Sequence, residues 1–224
     1  ATANVWYRLM NLGFHLPAGA GSDTMANYAS LRGPVGLVRG FLDTDGQLDD
    51  AHVLPALKGG RGFVTNGPLL GLLLDGHKPG DTIASGRSVP YRVALRSPVP
   101  VDHLELVSNG EVVQRFDLTG DRTRLDASGE ITLPHGGWLL LRAWNDDADA
   151  KVLDLYPYAT TNPVWLQGTA PDAHADAAYF VAWLDRVIEA ASARDDYNDA
   201  TEKDATLAYL REAQAKFRTM AGAR

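Results

Sequence analysis

The stretch LELVSNGEVVQRF, residues 104–116, constrains the fold more tightly than any other segment of the chain. Apolar-rich segments flank Asn109-Gly110 on both sides. A two-residue type I′ turn needs positive φ at both central positions, which asparagine and glycine tolerate best. A β-hairpin is therefore predicted here. Around it, further apolar-rich segments recur between residues 67 and 170: LGLLLDGHKPGDTI, VPYRVALRSP, GEITLPHGGWLLLRAW and TNPVWLQG, punctuated by Gly, Pro, Asn and Asp. Short strands at this spacing predict an Ig-like β-sandwich over residues 67–170.

The period changes on either side. In NVWYRLMNLGF, Val5, Leu9 and Leu12 fall near helical spacing, and Gly13 and Pro17 end the helix. PVGLVRGFL then reads as a strand, DDAHVLPALKGG as a short helix stopped by Gly59 and Gly60, and GFVTNGP as a brief strand ending in a turn. Alternation of this kind predicts part of an α/β layer over residues 1–66. Residues 171–224 read as a helical hairpin. Phe180, Leu184, Val187, Ile188 and Ala191 form one apolar stripe, Leu207, Leu210 and Phe217 another, and Asp199 with Glu202 approaches a capping box. The expected class is α+β: a partial α/β unit, a β-sandwich and a helical hairpin.

At 224 residues and 45% hydrophobic composition the chain can bury a sizeable core. Its net charge of −7, with scattered acidic residues, argues against a surface that tracks phosphates, so nucleic acid is not an expected partner. The absence of cysteine excludes disulfides, thiolate metal sites and a cysteine nucleophile, and leaves cytoplasm and periplasm both open. The longest apolar run, GPLLGLLLDG, is far shorter than the roughly 20 residues of a bilayer span, and the N-terminus lacks a signal-peptide pattern. A soluble chain without a membrane partner is expected.

Chemical motifs are sparse. The six histidines, at 15, 52, 77, 103, 135 and 174, form no H-x-H or H-x-x-x-H pair. No nucleophile elbow, P-loop or dinucleotide fingerprint occurs. DDADAK, residues 146–151, lacks the glycine and distal glutamate of a calcium loop. Trp138, Trp144, Trp165 and Tyr156 offer a sugar-stacking surface, which gives an alternative reading as a non-catalytic sandwich module for carbohydrate or peptide. A third reading is assembly through a stripe of Trp183, Leu184, Val187 and Ile188. In AGAGSD, residues 18–23, a carboxylate follows small residues on a turn, where it can reach a metal or a substrate or cap the next turn.

Taken in order, WYRLMNLGFHLPAGAGSDTMANYASLRGPVGLVR, ALKGGRGFVTNGPLL, SNGEVVQRF and YFVAWLDRVIEAA resemble the C-terminal portion of the carbaryl-hydrolase-like (CehA/McbA) metallohydrolases, a branch of the PHP superfamily. The resemblance implies that residues 1–66 are the remnant of a distorted α/β barrel. Such barrels hold divalent metal, zinc or manganese, that activates water for hydrolysis. The family's late G-[ST]-D motif falls on Gly21, Ser22 and Asp23, making Asp23 the implied metal ligand. Met25 stands where a histidine commonly follows. Asn27, Arg32, Thr65 and Asn66 are the residues implied to line the substrate site.

The family's H-x-H pair and its other early ligands have no counterpart before Asp23, and a catalytic zinc normally takes three protein ligands. The implied function is the C-terminal part of a metal-dependent hydrolase acting on a small ester, carbamate or phosphoester, inactive by itself. Its implied partners are the missing N-terminal half of the parent, or another copy of itself, and a small-molecule substrate. Such a remnant would expose apolar surface.

Overall fold

The computed structural model describes residues 2–24, 33–171 and 173–222. The described residues form an α+β structure of four α-helices and eleven strands, the strands arranged in a larger and a smaller sheet. In chain order the first elements are α1 (Thr2–Asn11), β1 (Arg39–Leu42), α2 (Asp50–Lys58), β2 (Gly62–Thr65), β3 (Leu69–Leu74) and β4 (Thr82–Ile83). There follow β5 (Ser88–Arg96), β6 (His103–Ser108), β7 (Glu111–Arg115), β8 (Arg124–Thr132) and β9 (Gly137–Trp144). A short 3-10 turn at Ala150–Val152 precedes β10 (Tyr158–Thr161) and β11 (Val164–Leu166), and the chain closes with α3 (Ala173–Ala193) and α4 (Ala200–Met220).

The larger sheet is organised on β9. Along one edge β9 pairs antiparallel with β6 from His103↔Trp144 to Ser108↔Leu139. Along the other it pairs first with β11 and then with β10, which are separated by Asn162-Pro163. Proline cannot donate to a ladder, so this dipeptide divides what would otherwise be one long strand. β10 continues to β2 and β1, β11 pairs in parallel with β4, and β7 pairs with β6. Residues on both sides of position 66 thus share one sheet, because β2 and β10 are hydrogen-bonded partners.

The smaller sheet has the order β3-β5-β8 and lies over one face of the larger. Successive side chains of a strand point to opposite faces, and the burial of β5 alternates accordingly. Val89, Tyr91, Val93 and Leu95 face inward to meet Leu104, Leu106, Leu139 and Leu141 from β6 and β9. β9 is buried on both faces, which is why GWLLLRAW reads as an almost continuous apolar run. Its second face carries Trp138 and Leu140, which pack under Tyr7 and Met10 of α1.

A polar network fixes α1 in this position. The Trp138 indole N–H donates to Asn11 Oδ1 at 2.7 Å, and the Asn11 amide donates to Asp176 Oδ2 of α3 at 2.6 Å. Arg8 closes the group with an ion pair to Asp176. Asn11 and Asp176 are each at most 5% exposed, so every polar atom here needs the partner it has. α3 and α4 pair through stacked Phe180 and Phe217, 4.9 Å between ring centroids, and through Gln214 donating to Asp185. No helix among the described residues is long and apolar enough to cross a membrane.

Candidate functional site

The AGAGSD segment leaves α1 and is anchored at its start by Asn162, whose Oδ1 accepts the Ala18 N–H at 2.7 Å. Asn162 is 2% exposed and its own N–H donates to Gly62 O, so the anchor is tied to β2. Further along, Ser22 Oγ accepts the Val38 N–H at 3.0 Å and donates to Val38 O at 3.2 Å, a reciprocal pair that fastens the turn to the approach to β1. Thr24 Oγ1 donates to Gly33 O at 3.0 Å. Between these two tethers Asp23 has φ 50°, in the left-handed region that aspartate enters more readily than most residues.

The TNGP turn is held as firmly. Thr65 Oγ1 donates to Pro68 O at 2.6 Å and accepts the Gly67 N–H at 2.8 Å. The Asn66 amide reaches residues 156–158, donating to Tyr156 O and accepting the Tyr158 N–H, both at 2.7 Å. The polar atoms of Thr65 and Asn66 are thus occupied by backbone partners that shape the β2–β3 connection. Asn27 and Arg32, with Met25, lie outside the described residues.

Gly33, which Thr24 hydrogen-bonds, and the TNGP turn both lie against one strap, the segment from the 3-10 turn to β10. A Cβ at Gly67 would stand 3.1 Å from Val152 Cγ1, and one at Gly33 would stand 3.9 Å from Leu153 Cδ1. Asn66 binds Tyr156 and Tyr158. Residues 22–24 and 33–38, the 65–68 turn and residues 152–158 therefore form one loop cluster beside the β1–β2–β10 end of the larger sheet. Nothing in the sequence marks Asn162 or residues 152–158 as partners of these two turns. The nearest signal is the Thr-Asn-Pro at 161–163, which echoes the Thr-Asn-Gly-Pro of the turn.

Among the described residues no three His, Asp or Glu side chains come together in a group able to hold a metal ion. Asp23 contributes one carboxylate, and the chain's described side chains do not fit a catalytic zinc or manganese centre by themselves. The four aromatics nominated for stacking are dispersed. Trp138 is fully buried, Trp165 is stacked on His15 at 3.8 Å, Trp144 donates to Glu105, and Tyr156 alone is widely exposed.

The strongest perturbation of titratable groups lies elsewhere, on the α1-facing side of the larger sheet. Glu105, 3% exposed, accepts from Arg142 Nε at 2.9 Å, Arg115 Nε at 3.2 Å and Trp144 Nε1 at 3.2 Å. Burial pushes its pKa up, but hydrogen bonds from Arg142 and Trp144 and the charges of Arg142 and Arg115 outweigh it, and the net shift is downward. Burial also raises Tyr7 and Tyr158, which flank Arg142. The group is packed between elements and reads as structural.

The chain matches no family model, no curated protein and no solved structure.

Proposed function

We propose that these residues are the C-terminal part of a metal-dependent hydrolase of the carbaryl-hydrolase-like kind, with a PHP-type barrel remnant at the start and an Ig-like sandwich after it. The observation that carries this reading is that Gly33, which Thr24 beside the Gly-Ser-Asp turn hydrogen-bonds, and the Thr-Asn-Gly turn, remote in sequence, both lie against residues 152–158. The glycines beside Asp23 add to it. A Cβ on Gly19 or Gly21 would meet nothing within 4 Å, and neither residue has positive φ, so nothing within the described chain accounts for glycine there. Close approach by a preceding segment and a substrate would account for it. Exposed apolar side chains within the cluster's own segments point the same way: Val35 is 81% and Tyr156 61% exposed.

In this reading Asp23 is one ligand of a zinc or manganese ion whose remaining ligands come from the preceding segment. Asn27, Arg32, Thr65 and Asn66 are the substrate-binding candidates, and the substrate is a small ester, carbamate or phosphoester.

The test is metal content and hydrolysis. The purified 224-residue chain, loaded with zinc or manganese and dialysed, should retain metal well below one equivalent and leave p-nitrophenyl acetate and bis-p-nitrophenyl phosphate intact. The same chain extended by the residues encoded immediately before Ala1 should hold metal stoichiometrically and cleave at least one of them, and Asp23→Ala in that longer protein should lower both. Stoichiometric metal and unaided hydrolysis by the 224 residues would overturn the proposal. So would a longer protein indifferent to Asp23→Ala.

A further inference from the structure

Away from the loop cluster, a cavity of about 750 Å3 lies over the smaller sheet, and Asp23, Thr65 and Asn66 take no part in it. Its floor follows from register. Gly71, Ala94 and Asp126 stand opposite one another across β3, β5 and β8, and so do Leu73, Arg92 and Ser128. Residues directly opposite share a face. The intervening Leu72, Val93 and Ala127 pack in or against the core, so the first two sets face away from it. Small side chains at the centre give the floor its depth: a Cβ on Gly71 would already stand 3.3 Å from Ala94 Cβ. The wall beyond the β3 edge is built by Arg61, Phe63 and the Lys78-Pro79 turn.

The charges lining this cavity are mostly cancelled. Lys78 Nζ lies 2.6 Å from Asp43 Oδ2, and Arg61 lies 3.1 Å from Asp45 Oδ2. Asp126 is gripped by both ends of its contact with Arg96, at 2.9 and 2.7 Å. Arg92 is the exception, since among the described residues its guanidinium has no hydrogen-bond or ion-pair partner. In a chain of net charge −7, one uncancelled guanidinium stands over an apolar floor of Gly71, Leu73 and Ala94.

We infer that this cavity is a binding site for a small organic monocarboxylate with an apolar body. A guanidinium offers a planar pair of N–H donors that matches a carboxylate, and it binds one with directional preference that an ammonium lacks. The volume falls in the range of about 300–1,000 Å3 typical of small-molecule sites. A single unpaired cation suits one negative charge; a polyanion would have to compete with Asp43, Asp45 and Asp126 for the other cations. The floor and Phe63 take the apolar body. This site stands independently of the hydrolase reading, because no residue of the loop cluster contributes to it.

The probe is 2-naphthoate, titrated into the chain by calorimetry and by amide chemical-shift mapping. The expected result is one equivalent bound, with shifts concentrated at Gly71, Arg92 and Ala94. Neutral 2-naphthamide should bind at least tenfold more weakly. Arg92→Gln should cost a similar factor, Arg92→Lys less, and Ala94→Leu should fill the floor and abolish binding. Both substituted positions face away from the core, and an unchanged circular dichroism spectrum confirms folding. Equal affinity for acid and amide, undiminished binding by Ala94→Leu, shifts confined to other residues, or no binding at millimolar probe would each overturn the inference.

Discussion

Glu105 shows how much a single residue can commit a fold to its charge pattern. Its carboxylate is nearly inaccessible to water and depends on Arg142, Arg115 and Trp144 for every interaction it makes. Replacing it with glutamine leaves the half-buried Arg142 without its counter-charge, and breaking a buried pair in this way costs about 3–5 kcal/mol. Arg115 is 72% exposed at its side chain, so Arg115→Ala should cost less than about 1 kcal/mol by the same route. The pH dependence has a definite sign. Because the folded-state pKa of Glu105 lies below its ordinary value, its contribution to stability is complete above the unfolded value of about 4.3 and is lost as pH falls through the folded one. Urea unfolding at pH 7 and near pH 3 should therefore show Glu105→Gln strongly destabilised at the higher pH and closer to wild type at the lower. A mutant deficit that does not shrink in acid would remove Glu105 as the source of the effect.

At the scale of elements, the β6–β7 hairpin turns on Asn109 and Gly110, with φ of 53° and 97°. Asn109 does more than tolerate the turn. Its Oδ1 accepts the Trp138 N–H and its Nδ2 donates to Gly136 O, each at 3.0 Å, so the turn is stapled to the start of β9. Asn109→Ala gives up both bonds and places a less tolerant residue at positive φ, and a loss of about 2 kcal/mol is expected in denaturant melts. Asn109→Asp keeps the acceptor and should lose roughly half as much. At the far end, Asp199 Oδ1 accepts the Glu202 N–H at 2.8 Å and Glu202 returns a bond to Asn198 N, one residue earlier than the usual box. Asp199→Ala should lower stability by about 1 kcal/mol, with Asp199→Asn retaining most of it.

These are the elements that the sequence makes legible, because their signals are local: a dipeptide with positive φ, a cap three residues from its partner, an apolar stripe at helical spacing. β8 and β10 are much harder to read. RLDASGEIT and YATT carry few large apolar residues and owe their strand conformation to the neighbours β5, β2 and β9. The pairing of β10 and β11 along one edge of β9 is likewise a tertiary fact. In the loop cluster, the Gly-Ser-Asp and Thr-Asn-Gly turns stand out as motifs, but the approach of Gly33 and of the Thr-Asn-Gly turn to residues 152–158 depends on where β10 returns in the sheet.

Over the whole molecule, burial is distributed unevenly. Between residues 12 and 55 Thr44 is the one described residue that is buried, whereas β9 contributes Trp138, Leu139, Leu140, Leu141 and Ala143 to two cores at once. Local opening is easiest where few apolar contacts and many solvent-facing backbone bonds must be given up. Amide hydrogen exchange should accordingly divide the chain. β5, β6 and β9 should exchange only through global unfolding, and described amides of residues 14–48 should exchange orders of magnitude faster, even where they are hydrogen-bonded as at Val38. The same measurement bears on how the loop cluster is completed. If a preceding segment docks on it, the longer protein should slow exchange at Ala18 and Val38 at least tenfold while leaving β9 unchanged, because the new contacts stabilise only the sub-global opening. Equal exchange at these amides in the short and long proteins would mean that the cluster is as stable as it becomes without any covering partner, and the exposed Val35 and Tyr156 would then need another explanation.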